Sequence, residues 1–209
     1  MRYYLDDPVI TRISKALHPI RIGDQTDRVM IEGQRRAAVM LALTKRAEAW
    51  HVLLTLRPDT MPTHAGQIAF PGGRIEAGET ARAAAIRETQ EEVGIGEQDL
   101  MLIGRLDSFN AASSFRVTPF VGIYHPEAQI IPDPREVADA FEAPLSFFMD
   151  PDNHKPRTVE YKGQDVKLYD MPYTGHDGIA RNVWGMTAMM LYRLYQRAYV
   201  GNFTHPDEF

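Results

Sequence analysis

The chain has 209 residues, of which 44% are hydrophobic, 24% charged and 10% aromatic, enough for one globular core and far from disordered or fibrous compositions. Twenty-three lysines and arginines stand against 28 aspartates and glutamates, with no basic run that reads as a nucleic-acid stripe or a membrane-surface patch. There is no cysteine, which excludes disulfides, thiolate metal sites and a cysteine nucleophile and leaves oxygen ligands for any metal.

No internal repeat interrupts the chain, and a single domain over 1–209 is expected, with 1–34 as an N-terminal helix and lead-in and about 35–199 as the core. Val9, Ile10, Ile13 and Leu17 recur at helical spacing and predict a helix over 8–17. A polar lead-in over 20–34 follows. The apolar runs AAVMLALT (37–44) and WHVLLTLR (50–57) flank a polar turn and predict paired strands, at least one of them buried. A loop rich in proline and threonine runs from Pro58 to His64. The next helix has Thr80 as its N-cap and Gly94 as its C-terminal stop. Strands are expected over 99–109 and 116–125, a helix from about Glu136 to Phe141, and a short helix after Pro144. A hairpin is expected over 158–173 with Gly163 in its turn, and a long amphipathic helix over 182–199 that counts Val183, Met186, Met190 and Leu194 among its apolar positions. Strand pairs mixed with separated helices indicate an α/β sandwich with a mixed sheet. No segment nears the roughly 18 apolar residues a spanning helix needs, there is no N-terminal apolar leader, and HPDEF is not a peroxisomal address, so a cytoplasmic location is expected.

The helix after Thr80 gathers Glu88, Glu91 and Glu92 within five positions. At about 100° per residue, Glu91 and Glu92 fall on either side of Glu88, and the three carboxylates share one narrow stripe. Ala81 and Ala84 continue that stripe without bulk, while Ala83, Ile86 and Val93 lie opposite and are expected to anchor the helix. Such like-charge spacings cost about 0.2–0.5 kcal/mol each on an exposed helix, so a solvated face is the plain alternative. Oxygen-rich clusters suit Mg²⁺ or Mn²⁺, hard cations that also bind diphosphates.

These residues fit a named pattern. Gly73, then Glu79, then Arg87, Glu88, Thr89, Gln90, Glu91, Glu92, Val93, Gly94 and Ile95 resemble the Nudix box, Gx5Ex7REUxEExGU, at every fixed position except the first U (a bulky aliphatic), which is Thr89. The resemblance implies a Nudix-fold α/β/α sandwich and a hydrolase of nucleoside diphosphate derivatives that uses Mg²⁺ or Mn²⁺ held by Glu88, Glu91 and Glu92. It also implies that Arg87 pairs with Glu79 and that Gly73 permits the loop's turn. Thr89, β-branched and close in size to valine, is expected to adjust the packing without loss of the site. The base that takes the proton of the attacking water is Glu88 or Glu92, with Glu136 a later candidate. An acid in the first turn of a helix also complements the dipole without any catalytic duty, which is the alternative for Glu136.

Upstream, LLTLRPDTMPTHAGQIAFPGG (53–73) resembles the signature of Nudix coenzyme A diphosphatases, LLTxR(S/A)x3Rx3Gx3FPGG. Leu53, Leu54, Thr55, Arg57, Gly66, Phe70, Pro71, Gly72 and Gly73 stand in place, while Pro58 and Pro62 depart from it. Pro62 replaces an arginine, and a guanidinium lost from a phosphate site removes hydrogen bonds worth about 1.5–3 kcal/mol each. WGMTAMML and EVADAFEAPLSFF resemble the later parts of that subgroup. The resemblance implies hydrolysis of CoA or acyl-CoA to adenosine 3',5'-bisphosphate and (acyl-)4'-phosphopantetheine. In it, Arg57 meets a phosphate of the nucleotide half, with a surface salt bridge the alternative; His64 is a candidate to replace part of the missing charge by hydrogen bonding to phosphate, with a structural or merely exposed histidine the alternative. Phe70 and Trp184 are candidates to stack on adenine, with core packing the alternative for both. Another Nudix substrate, such as ADP-ribose or NADH, and a non-catalytic nucleotide-binding module are the rival functions.

Overall fold

The computed structural model describes residues 2–20, 33–59, 66–111, 114–161 and 163–201. Helix α1 (Pro8–Ala16) starts where Asp7 accepts from the Val9 amide at 2.9 Å and Pro8 supplies a preset φ, and it buries Ile10 and Ile13. Strands β1 (Arg35–Arg46) and β2 (Ala49–Leu56) pair antiparallel, and β3 (Ile68–Ala69) continues the sheet beyond β2. Strand β4 (Gly72–Arg74) pairs with the start of β1. Helix α2 (Ala81–Val93) follows, then β5 (Leu100–Arg105), β6 (Phe109–Asn110) and β7 (Phe115–Tyr124). Strand β7 runs parallel to β1 over its length and antiparallel to β5, so the sheet is mixed.

Side chains alternate across β1 and divide the core. Ala37, Leu41 and Leu43 join an apolar cluster with α1, while Ala38, Met40 and Ala42 join a second cluster with α2. The expected α/β sandwich with a mixed sheet is therefore found, with helices on both faces.

The segment expected as a helix from Glu136 is instead a turn at 134–136 followed by strand β8 (Asp139–Pro144), paired antiparallel with β2 from His51 to Leu56. Its Glu and Ala content favours a helix locally, but the open edge of β2 offers a ladder and a buried place for Ala143, and tertiary pairing overrides propensity. Without a helix there, the dipole explanation for Glu136 falls. The short α3 (Leu145–Phe148) follows Pro144 as expected.

A second sheet holds β9 (Lys155–Tyr161), β10 (Gln164–Thr174) and β11 (Ala180–Trp184), and Gly163 makes the β9–β10 turn with φ +76°. The final helix, α4 (Gly185–Tyr195), begins later than its apolar pattern suggested. Residues 180–184 alternate exposed and buried, so Val183 is a strand residue, and Gly185 at φ +64° makes the change of direction. Among the described residues no helix is long and apolar enough to cross a membrane. Most of the lead-in, 21–32, lies outside the described residues, as do Pro62 and His64.

Candidate active site

Two glycines set the approach of α2 to the sheet. Strand β4 lies so close to β1 that a Cβ on Gly72 would fall 2.4 Å from the Ala38 carbonyl oxygen, and one on Gly73 would fall 2.5 Å from the Glu88 carboxyl group. The carboxylate of Glu88 occupies the space a side chain at 73 would take. After the turn, Thr80 accepts from the Ala83 amide at 3.1 Å and Gly94 ends the helix at φ +77°, the caps expected from the sequence.

Helix α2 is anchored by Ile86 and Val93, each worth about 1.5–3 kcal/mol when buried. Ala83, expected beside them, is exposed, and Ala81, Ala84 and Ala85 face the sheet instead, where their small size lets the helix sit close. The buried arc therefore overlaps the carboxylate stripe. Glu92 is only 3% exposed, Glu88 is half-buried, and Glu91 is open to solvent. Thr89 is fully buried and its hydroxyl donates to the Ala85 carbonyl at 2.6 Å, so the polar group that replaces an aliphatic one is satisfied inside the helix.

Arg87 ties the loop to the helix. Its Nε and Nη2 donate to the two Glu79 carboxylate oxygens at 3.0 and 3.1 Å, and Nη2 also donates to the Arg74 carbonyl at 3.1 Å. Glu79 in turn accepts from the Glu76 amide at 3.0 Å. The Arg87 hydrogen bonds hold the Glu79 carboxyl below the usual carboxylate range. Nη1 of Arg87 lies 3.0 Å from Glu88 and 2.8 Å from Glu91.

A third carboxylate arrives from a distant loop. The Ile131 amide donates to the Val93 carbonyl at 2.9 Å and the Asp133 amide to the Glu92 carbonyl at 3.0 Å, using acceptors that a helix end leaves unpaired. A turn on Asp133 then presents Glu136, and the Ala138 amide returns to Leu56 at 2.8 Å. As a result, ligand oxygens of Glu88, Glu92 and Glu136 lie within 4.8 Å of one another. Glu91 is not part of this trio: its side chain is 56% exposed and paired with Arg87.

Burial pushes the Glu92 carboxyl up to about 8, against the pull of the Gly72 amide at 3.3 Å and the charge of Arg57. Burial also raises Glu88, with the neighbouring carboxylates Glu91 and Glu136 adding to it against Arg87. Three crowded carboxylates, two of them held towards protonation by desolvation, form an oxygen donor set that a divalent cation would neutralise. Arg57 is near enough to act on the charge of Glu92, its buried Nε has no hydrogen-bond partner among the described residues, and its main chain is fixed by pairing with Gly66 and Gln67. Phe70 is 3% exposed and belongs to the apolar cluster, so it fills the core and has no face to offer a ligand. Trp184, by contrast, is an exposed residue of β11.

The sequence alone did not mark the Gly72 amide as a partner of Glu92; the doubled glycine at 72–73 is the signal of close backbone approach that could have found it. A NUDIX domain pattern matches residues 33–163, which span β1 to the β9–β10 turn and include the whole cluster. The chain belongs to the Nudix family. A protein of Photorhabdus laumondii described as an uncharacterized Nudix hydrolase, NudL, is 35% identical over 170 residues, covering 81% of this chain and 88% of that one. A NudL of an Enterobacter species, described in the same words, is 36% identical over 162 residues, or 77% and 81% of the two chains. The crystal structure of a MutT/nudix family protein from Enterococcus faecalis superposes with a TM-score of 0.52 at 16% identity, covering 86% of this chain and 67% of that one, a likeness of fold. The protein is a Nudix hydrolase acting on a nucleoside diphosphate derivative.

Proposed function

We propose that this Nudix hydrolase cleaves the pyrophosphate bond of CoA or acyl-CoA, releasing adenosine 3',5'-bisphosphate and 4'-phosphopantetheine or its acylated form. The observation that carries this reading is the run from Leu53 to Gly73, where Leu53, Leu54, Thr55, Arg57, Gly66, Phe70, Pro71, Gly72 and Gly73 keep the CoA diphosphatase spacing. Arg57 supports it: a guanidinium whose charge reaches Glu92 and whose Nε has no partner among the described residues is suited to a phosphate oxygen.

Glu88, Glu92 and Glu136 are the residues we assign to holding Mg²⁺ or Mn²⁺, and Glu91 joins them only by giving up Arg87. A divalent cation there supplies Lewis-acid polarisation of the phosphoryl oxygens and lowers the pKa of a water. To Glu136, exposed at the loop and without an ion pair among the described residues, we also assign the task of taking the proton of the attacking water. Glu88 and Glu92, backed by Gly73 and the Gly72 amide, keep their positions while it does so. Arg57 orients the diphosphate, and Arg87 with Glu79 keeps the loop registered on the helix. A cytoplasmic setting, consistent with a chain free of cysteine, belongs to this proposal.

Pro62, in the place of the signature's second arginine, favours a second reading in which ADP-ribose or NADH is the substrate. Incubation with Mg²⁺ or Mn²⁺ and, separately, CoA, acetyl-CoA, ADP-ribose and NADH, with chromatography of the products, decides between them. Preferential formation of adenosine 3',5'-bisphosphate from CoA supports the proposal; faster cleavage of ADP-ribose or NADH refutes it.

A further inference from the structure

An open trough of about 560 Å³ lies between the end of the main sheet and the second sheet; the three carboxylates do not line it. It lies where two functional segments converge: Leu56 directly precedes Arg57, and Ala138 stands two residues after Glu136. Leu56 and Ile68 of β2 and β3 form one wall, Ile179 and Trp184 the other. Ile179 is 53% exposed and Trp184 36%, and they are two of the six large apolar side chains left open to solvent among the described residues. A trough of this size, open to solvent and flanked by apolar groups, has room for one chain-like arm of a ligand.

Its electrostatics select among the parts of a nucleoside diphosphate derivative. The one cation lining it among the described residues, Arg181, is buried and fully engaged. It donates to Asp139 and Asp177 at 2.8 Å each and lies 4.2 Å above the Phe141 ring. The Arg157 guanidinium 5.2 Å from the Trp184 ring centroid is itself paired with Asp170 at 3.1 Å, so two guanidiniums stand against three carboxylates and the trough is slightly acidic, a poor host for a phosphorylated ribose and a good acceptor for amide N–H and hydroxyl groups.

We propose that this trough receives the uncharged arm of the substrate, the chain of amides and methylenes esterified to the non-nucleotide phosphate, with Trp184 and Ile179 covering its apolar part. The identity of that arm as pantetheine rests on the CoA reading; the preference of the trough for an uncharged chain over a phosphorylated nucleoside does not. The open end towards Ile179 and Trp184 leaves room for an acyl group.

The test has two parts. The tryptophan fluorescence of the Mg²⁺-loaded protein is followed during titration with 4'-phosphopantetheine and, separately, adenosine 3',5'-bisphosphate, with Trp184→Phe subtracting the signal of Trp50. The expected result is a saturable change with 4'-phosphopantetheine that Trp184→Phe lacks, and none from adenosine 3',5'-bisphosphate. A response to the bisphosphate instead places the nucleotide half here and overturns the proposal, as does silence towards both. In turnover, Ile179→Glu is expected to lower kcat/KM for CoA about tenfold relative to the diphosphate whose arm is cut to a methyl ester, with Ile179→Leu restoring the ratio. An unchanged ratio in Ile179→Glu overturns the proposal. If the wild-type protein cleaves no CoA, the CoA reading fails by itself and the fluorescence titration still decides the trough.

Discussion

Replacing Gly73 by alanine separates the geometry of the carboxylate cluster from the stability of the fold. The added Cβ would lie 2.5–2.6 Å from all three atoms of the Glu88 carboxyl group, and ordinary contact begins near 3.4 Å, so the carboxyl group must retreat by about 1 Å. Gly73 does not hold a positive φ, and the atoms displaced are the far end of a flexible side chain, so the stability of Gly73→Ala should stay within about 1 kcal/mol of wild type. Misplacing a catalytic group by about 1 Å costs on the order of 100-fold in rate. Expected, therefore, are a melting temperature without metal within about 4 °C of wild type, weakened Mg²⁺ binding by calorimetry, and a fall in kcat/KM of about that size on the preferred diphosphate substrate. Gly72→Ala is the contrast. There the Cβ meets the Ala38 carbonyl oxygen at 2.4 Å, backbone that cannot yield, and the fold itself should lose about 2 kcal/mol or more. Gly73→Ala with kcat/KM within about threefold of wild type would refute the account of Glu88 as a group held in place by the missing side chain.

Glu92 predicts a pH dependence for the metal-free protein. Its carboxyl titrates near 8 when folded and near 4.5 otherwise, so between these values the native state holds a proton the unfolded chain has released, and stability falls as pH rises. Thermal melts should show Glu92→Gln gaining on wild type across this window, by up to about 5 kcal/mol above pH 8, while turnover is lost; parallel curves would sink the idea. Arg87→Lys keeps the charge but not the two-pronged bond to Glu79, and should cost about 1–2 kcal/mol in chemical denaturation together with a fall in kcat. Thr89→Val exchanges a hydroxyl bonded within its own helix for a methyl group, so stability should change by less than about 1 kcal/mol and activity should persist. Glu136→Gln should lower kcat by about 100-fold or more if this carboxylate takes the proton, and an unaltered kcat would return that role to Glu88 or Glu92.

What could be read from the sequence was whatever is determined locally. Thr80 and Gly94 cap α2 through their own backbone preferences, and the apolar runs of β1 and β2 are continuous because both faces of that part of the sheet are covered. The Arg87–Glu79 bond was legible because both partners sit at fixed spacing in one motif. Strand β8 was not, since its helix-favouring residues follow the vacant edge of β2, a partner far away in the chain. Strand β11 was hidden by apolar residues that continue smoothly into α4, with only Gly185 marking the corner. The exposure of Ala83 and the burial of Glu92 depend on which side of α2 meets the sheet, something helical spacing alone leaves undetermined. The arrival of Glu136 beside Glu88 and Glu92 is a property of a loop docking on a helix end.

That docking also determines which parts of the chain can change length. Between Gly94 and Ile131 the backbone leaves the end of α2, traverses β5, β6 and β7, and returns to the carbonyls of Glu92 and Val93. Insertions in the turns of this excursion alter the outward surface and leave the distances among the three carboxylates as they are. A single residue added or removed between Asp133 and Glu136 would instead rotate the third carboxylate away from the other two. Length can thus drift in the turns of a wide arc and is closed over a few residues, a boundary drawn by two backbone hydrogen bonds.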